Sequence, residues 1–187
     1  MKFVFACLLL LTTIPGFAQT NPCDSIVWKA NRPLTWNDYK AKPDSNSIAA
    51  AYTNSGFVRT WSARNYKLYT VMVTNFNPCL SWRKGEASAR LLAHEQLHFD
   101  ITECYKRVYY RRVSTATYTP ATLPDLMSSI YQSTLADLQV MQREYDLQTK
   151  HSLDEEQQAA WKQKIVRLLR SLKPWDRYQL IVELPRK

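Results

Sequence analysis

The chain has 187 residues, 45% hydrophobic and 22% charged. That is ordinary composition for one globular domain with a sizeable core, and it excludes wholesale disorder and collagen-like or repeat architectures. Gly16, Gly56 and Gly85 lie too far apart for a glycine-rich phosphate loop, and although the formal charge is +9, Lys and Arg are interleaved with Asp and Glu along helical segments, the pattern of solvated helix faces rather than of a nucleic-acid surface.

The first residues, MKFVFACLLLLTTIPGFAQT, carry Lys2, an unbroken apolar run from Phe3 to Leu11, the helix breaker Pro15, and small residues Gly16 and Ala18 before Gln19. This is the pattern of a cleavable signal peptide over 1–18. The run is too short to span a bilayer, which takes about 20 apolar residues, and Cys7 lies inside it rather than just after it, which argues against a lipid anchor. The expectation is a secreted or periplasmic protein without a membrane span, its single domain occupying 19–187. Export permits a disulfide. Cys23, Cys79 and Cys104 remain in the mature chain, so one thiol is left over; Cys79–Cys104 is the expected bridge, with a free buried Cys104 as the alternative.

Ser25–Trp28 reads as a short strand and residues 36–56, rich in turn formers, as loop. Phe57–Trp61 and Tyr66–Phe76 are rich in β-formers, joined by a turn near Arg64 and Asn65. In the second of these, Tyr69, Val71 and Val73 alternate with Leu68, Thr70, Met72 and Thr74, giving one apolar and one mixed face. Asn77-Pro78 breaks the strand. A long helix follows from about Glu86 to Val113. After the linker 114–122, Pro124 sits in the first turn of a second helix over Leu123–Lys150. Ser152-Leu-Asp-Glu155 has the form of a capping box that opens a third helix. That helix ends near Pro174, and Tyr178–Leu184 reads as a final strand. Strands first, then helices, then one strand make an α+β protein.

The chemistry lies in LLAHEQLHFD. His94 and His98, four residues apart on a helix, are about 400° apart around its axis and leave from nearly the same side. Two neutral imidazoles at that spacing bind one Zn²⁺, and Glu95 projects close enough to take a proton from water at the metal. The HExxH spacing of two scarce residue types and a Glu favours a metal site over chance. A catalytic zinc takes a third protein ligand. The remaining histidine, His151, is the expected one, although a cation at a helix C-terminus would also suit it. Glu144 is a rival, and Glu155 fits the capping box better. Cys104 stands where the metzincin pattern HExxHxxGxxH puts its third histidine, but Ile101 replaces the glycine that would turn the chain. Asp100 could accept from an imidazole N–H. Tyr145 could donate to a tetrahedral oxyanion, and Asp146 could orient a ligand or cap the local turn.

Four blocks in order, LTWNDYKAKPD, NFNPCLSWRK, LLAHEQLHFDI and YDLQTKHSLDEEQQAAWKQKI, together resemble the bacterial DUF922 family, described as secreted zinc-dependent proteases. The likeness covers most of residues 34–170. It implies roles for His94, Glu95, His98 and Asp100 from one block and for Tyr145, Asp146, Thr149 and His151 from another, with His151 as a ligand. The fold expected on this reading is zincin-like: a small twisted sheet, the HExxH helix, and a second helix delivering His151. Tyr66–Phe76 is then the strand expected to pair with an extended peptide substrate. The expected function is a zinc metallopeptidase acting on peptide or protein, with Glu95 as general base. The alternatives are a non-catalytic metal-binding module of the cell envelope and a zinc amide hydrolase acting on cell-wall peptides.

Overall fold

The computed structural model describes residues 21–85 and 88–185, so the expected signal peptide lies outside it. The order of elements is β1 (Ile26–Val27), β2 (Ala51–Tyr52), β3 (Ser55–Arg64), β4 (Lys67–Phe76), β5 (Trp82–Arg83), α1 (Ala89–Thr115), α2 (Leu123–Thr149), α3 (Glu155–Ser171) and β6 (Gln179–Glu183). The protein is α+β, with a small antiparallel sheet and three helices. Among the described residues no helix is long and apolar enough to cross a membrane.

The β3–β4 hairpin closes through Asn65 and Tyr66, both at positive φ (50° and 57°). That is the two-residue turn whose twist matches antiparallel strands. β3 pairs with β4 along its whole length, from Ser55↔Phe76 to Arg64↔Lys67. On the other edge of β4, β6 covers Lys67 to Val71 and β1 covers Asn75 and Phe76. In the gap between them Tyr110 from α1 substitutes for a strand: its hydroxyl accepts from the Met72 N–H at 2.7 Å and donates to the Tyr178 carbonyl at 2.8 Å. β4 is therefore central. The expectation that Tyr66–Phe76 would offer its edge to a substrate is corrected, because both edges are taken. A separate ribbon pairs β2 with β5.

The alternation along β4 holds, but the core takes the mixed face: Leu68, Thr70, Met72, Thr74 and Phe76 are buried. The two hydroxyls are tolerable there because each is bonded, Thr70 to the Thr60 carbonyl (3.2 Å) and Thr74 to Glu103 (2.8 Å). Glu103 in turn takes Arg107 and Lys106, both at 2.9 Å, and Arg107 reaches Asp176 at 3.2 Å. This buried chain of paired charges ties the sheet, α1 and the C-terminal segment together, and removing one member would strand the others.

α1 is the central helix. One side packs on the sheet and the first half of α2 through Tyr109, Tyr110 and Met127; the other packs on α2 and α3 through Leu97, Ile101, Leu138, Tyr145, Trp161 and Ile165. Its N-cap is Ser88, whose hydroxyl accepts from the Leu91 N–H, so it starts slightly later than its periodicity suggests. α2 ends as expected, but the capping box at Ser152 does not form. Asp154 is the N-cap of α3 and accepts from the Gln157 N–H. The reason lies one step earlier. Lys150, His151 and Ser152 all adopt positive φ (50°, 52° and 75°), a run of left-handed residues that sends the His151 N–H back to the Asp146 carbonyl (3.0 Å). This Schellman-type closure ends α2 and delays α3.

Cys23 is bridged to Cys79, with their Cα atoms 5.2 Å apart, and Cys104 is a free buried thiol. The expected Cys79–Cys104 pairing is thereby overturned, since Cys104 lies in the core formed with α2 and α3, away from the segment after β4. Burial pushes the Cys104 thiol well above its ordinary range. Non-reducing peptide mapping should recover the Cys23–Cys79 pair, and Cys104 should alkylate only after denaturation. Replacing Cys23 and Cys79 by serine should cost about 2–5 kcal/mol of stability; recovery of a Cys79–Cys104 peptide would contradict the packing described.

Candidate metal centre

His94 and His98 lie one turn apart on α1, their imidazoles perpendicular to each other with centroids 4.7 Å apart. The Nε2 atoms are 3.2 Å apart. Asp146, in the last turn of α2, brings its Oδ1 to 3.2 Å from His94 Nε2 and 3.0 Å from His98 Nε2. These three side chains form a group that could hold a metal ion.

The orientation of each ring is enforced from behind. The Gln142 amide donates through Nε2 to the His98 carbonyl at 2.9 Å, so its Oε1, 2.5 Å from His98 Nδ1, must accept the Nδ1 proton. Gln158 does the same for His94 (Oε1 to Nδ1, 3.1 Å), while its Nε2 donates to the Tyr145 hydroxyl at 2.6 Å and that hydroxyl donates to the His94 carbonyl at 3.2 Å. With both Nδ1 atoms protonated, both Nε2 atoms present lone pairs toward a carboxylate oxygen. Three acceptors facing one another are repulsive unless a proton or a cation sits between them. A tetrahedral ion with bonds of about 2.0–2.1 Å needs ligand atoms about 3.3 Å apart, close to the triangle found, so the donor set fits a dication.

Without a metal, a proton supplies part of this compensation. Burial opposes charge on His98, but the hydrogen bond and charge of Asp146, helped by Glu95, outweigh it and raise its pKa. Burial likewise opposes the Asp146 carboxylate, yet the two imidazoles hold its pKa far below the usual carboxylate range.

Glu95 is 4% exposed. It lines the same cavity of about 600 Å³ as His94, His98 and Asp146, and among the described residues its carboxylate has no hydrogen-bond partner. The cavity lies between α1, α2 and the segment from Ala49 to Gly56. His151 stands at its rim. Its Nδ1 is 3.5 Å from the Asp146 oxygen and its side chain is 71% exposed. The third corner of the triangle is thus filled by Asp146, not by His151 as expected: the left-handed turn lifts the imidazole above the carboxylate that occupies that position.

Tyr145 is fully buried, with its ring stacked on His94 at 4.5 Å. Its hydroxyl is committed to Gln158 and the His94 carbonyl. The expectation that it donates to an oxyanion is corrected; it positions His94. Asp100 is also corrected. Two residues beyond His98, and so about 200° around the helix, it accepts from Trp28 Nε1 (2.7 Å) and Gln96 Nε2 (2.8 Å) instead of an imidazole. Glu155 pairs with Arg90 at 3.1 Å, and Glu144 is not part of the ligand group. Gln142 and Gln158 belong to the site without having been expected there, and Asp146 has a larger part in it than its place in the sequence suggested. The same four-residue spacing that exposed His94 and His98 places Gln142 and Asp146 on one face of α2, and would have found them.

No family model, curated protein or solved structure matches this chain.

Asp146→Ala should abolish stoichiometric metal binding, whereas His151→Ala should leave stoichiometry intact. Gln142→Leu or Gln158→Leu should weaken affinity about 10–100-fold. The measurement is metal titration with a competing chelator; retention by Asp146→Ala and loss by His151→Ala would reverse the ligand assignment. The metal-free protein should also show a pH signature. The contribution of Asp146, whose pKa is lowered, is present above the unfolded value and lost as pH falls; that of His98, whose pKa is raised, is present below the unfolded value and lost as pH rises. Both are fully present only between about pH 4 and 6.5. The destabilisation by Asp146→Asn, followed by thermal unfolding without metal, should be greatest in that window; a difference that does not vary with pH would contradict the pairing.

Proposed function

We propose that the protein is an exported zinc metallopeptidase of zincin-like organisation, the activity that the DUF922 resemblance implies. The observation that carries this reading is the pairing of a convergent His94, His98 and Asp146 triangle with Glu95, a largely buried residue on the same cavity whose carboxylate has no hydrogen-bond partner among the described residues. Two imidazoles and one carboxylate are a donor set suited to zinc, and three protein ligands leave a position open. The same set serves ferrous oxygenases, but such chemistry has no need of a second, free carboxylate beside the ligands. Zinc, when bound, polarises a carbonyl and acidifies water.

Glu95 takes the proton of the attacking water on its carboxylate and returns it to the leaving nitrogen. His94 and His98 are kept in one tautomer by Gln158 and Gln142. Asp146 neutralises charge at the centre, and Tyr145 holds the His94 ring by stacking. An extended peptide meets the cavity at β2. The Lys84 N–H bonds to the Ala50 carbonyl, and Ala51 lies opposite Arg83. Antiparallel alternation then turns the N–H and C=O of Ala51 away from β5. Ala51 lines the cavity, which makes this edge of β2 the candidate for strand addition. The Cys23–Cys79 bridge supports export into an oxidising compartment.

One observation favours the non-catalytic reading. His151, 3.5 Å from the Asp146 oxygen, would close the fourth position if its ring turned inward, and a closed site would only bind. Glu95→Gln separates the two readings. It should keep stoichiometric zinc and lower the rate of peptide cleavage by about 10²–10⁴-fold. A zinc-loaded wild type that cleaves no peptide, or a variant that cleaves as fast as wild type, would remove the peptidase reading.

A further inference from the structure

We propose that Arg143 determines specificity by receiving a carboxylate of the substrate, so that the peptides taken are acidic ones. The inference rests on the peptidase reading for its reaction but on separate residues for its chemistry. Among the described residues that line the cavity, Arg143 is the one lysine or arginine. It sits on α2 one turn before Asp146 and beside Gln142, on the wall that supplies the third metal ligand. The segment that completes the cavity carries Ala49, Ala50 and Ala51, whose methyl groups leave room for a substrate side chain.

Arg143 is also free to act. Arg32, Arg90, Arg107 and Arg112 are each held by a carboxylate of this chain, whereas Arg143 makes no ion pair among the described residues. Neither of its acidic neighbours on α2 forms an ion pair with it. Asp146, one turn on, commits Oδ1 to His94 and His98. Glu144, the next residue, leaves the helix about 100° away. The cavity wall thus carries one arginine without an ion pair among the described residues, and the planar fork of a guanidinium matches a carboxylate in two parallel hydrogen bonds. A glutamate or aspartate side chain and a free C-terminal carboxylate share this chemistry.

The test uses the zinc-loaded mature chain with Glu95→Gln, so that bound peptides persist. Matched peptides that carry Glu or Gln at one position, each made with a C-terminal acid or amide, are titrated by calorimetry at low ionic strength. Carboxylate-bearing peptides should bind about 10-fold tighter or more. The Glu/Gln comparison and the acid/amide comparison show which carboxylate is received. Adding Arg143→Gln should bring the ratio to about one, and Arg143→Glu should invert it in favour of the uncharged member of the pair. Equal affinity for all four peptides, binding of none, or a ratio that survives Arg143→Gln would overturn the proposal. Cleavage by the protein with Glu95 intact reports separately on the peptidase reading: acidic peptides bound through Arg143 but never cut would leave the carboxylate site standing and remove the hydrolytic one.

Discussion

Three electron-pair donors, His94 Nε2, His98 Nε2 and Asp146 Oδ1, are held within 3.2 Å of one another. Nothing about a helix pair favours that arrangement by itself. Lone pairs repel, and burial weakens the screening that water would give. The arrangement persists because each ring is bonded on its far side, His98 by Gln142 and His94 by Gln158 and the stacked Tyr145. The surrounding polar groups therefore fix where the donors point, and a cation or proton at the centre completes the balance. This is the order of cause usual in metal sites, where the outer bonds set the tautomer and the ring plane.

That geometry imposes a demand on the whole fold. α1 must present His94 and His98 while burying both of its other flanks, one against the sheet and one against α2 and α3. α2 must end where Asp146 faces them, and the left-handed run Lys150, His151, Ser152 stops it there. The backbone carbonyl of Asp146 closes that turn while its side chain serves the centre, so one residue couples the end of a helix to the site. β2 and β3 then bring the segment 49–56 over the cavity, with β3 fixed by its full-length pairing to β4.

Much of this was legible in the sequence. The 3.6-residue period gave the helices nearly to their ends, and period-two alternation gave the long hairpin. The HExxH motif exposed His94, Glu95 and His98 because its meaning lies within one helix. What was not legible depended on contacts between elements. Choosing between Asp146 and His151 required the path of the chain after α2, and three consecutive positive φ angles without a glycine leave no compositional trace. The role of Tyr145 turned on which way its hydroxyl pointed, and the partner of Cys79 on where residues 21–25 run. β4 read as a candidate edge because nothing in its own residues reveals that β1, β6 and Tyr110 cover its second side.

The central claim is that one dication is held by His94, His98 and Asp146. Diffraction from zinc-loaded crystals, recorded on both sides of the zinc absorption edge, tests it most directly. The account predicts one anomalous peak about 2.0–2.2 Å from the Nε2 atoms of His94 and His98 and from the Asp146 carboxylate, with His151 outside bonding distance. A peak bound by His151 with Asp146 turned away, or no peak between the two helices, would contradict it.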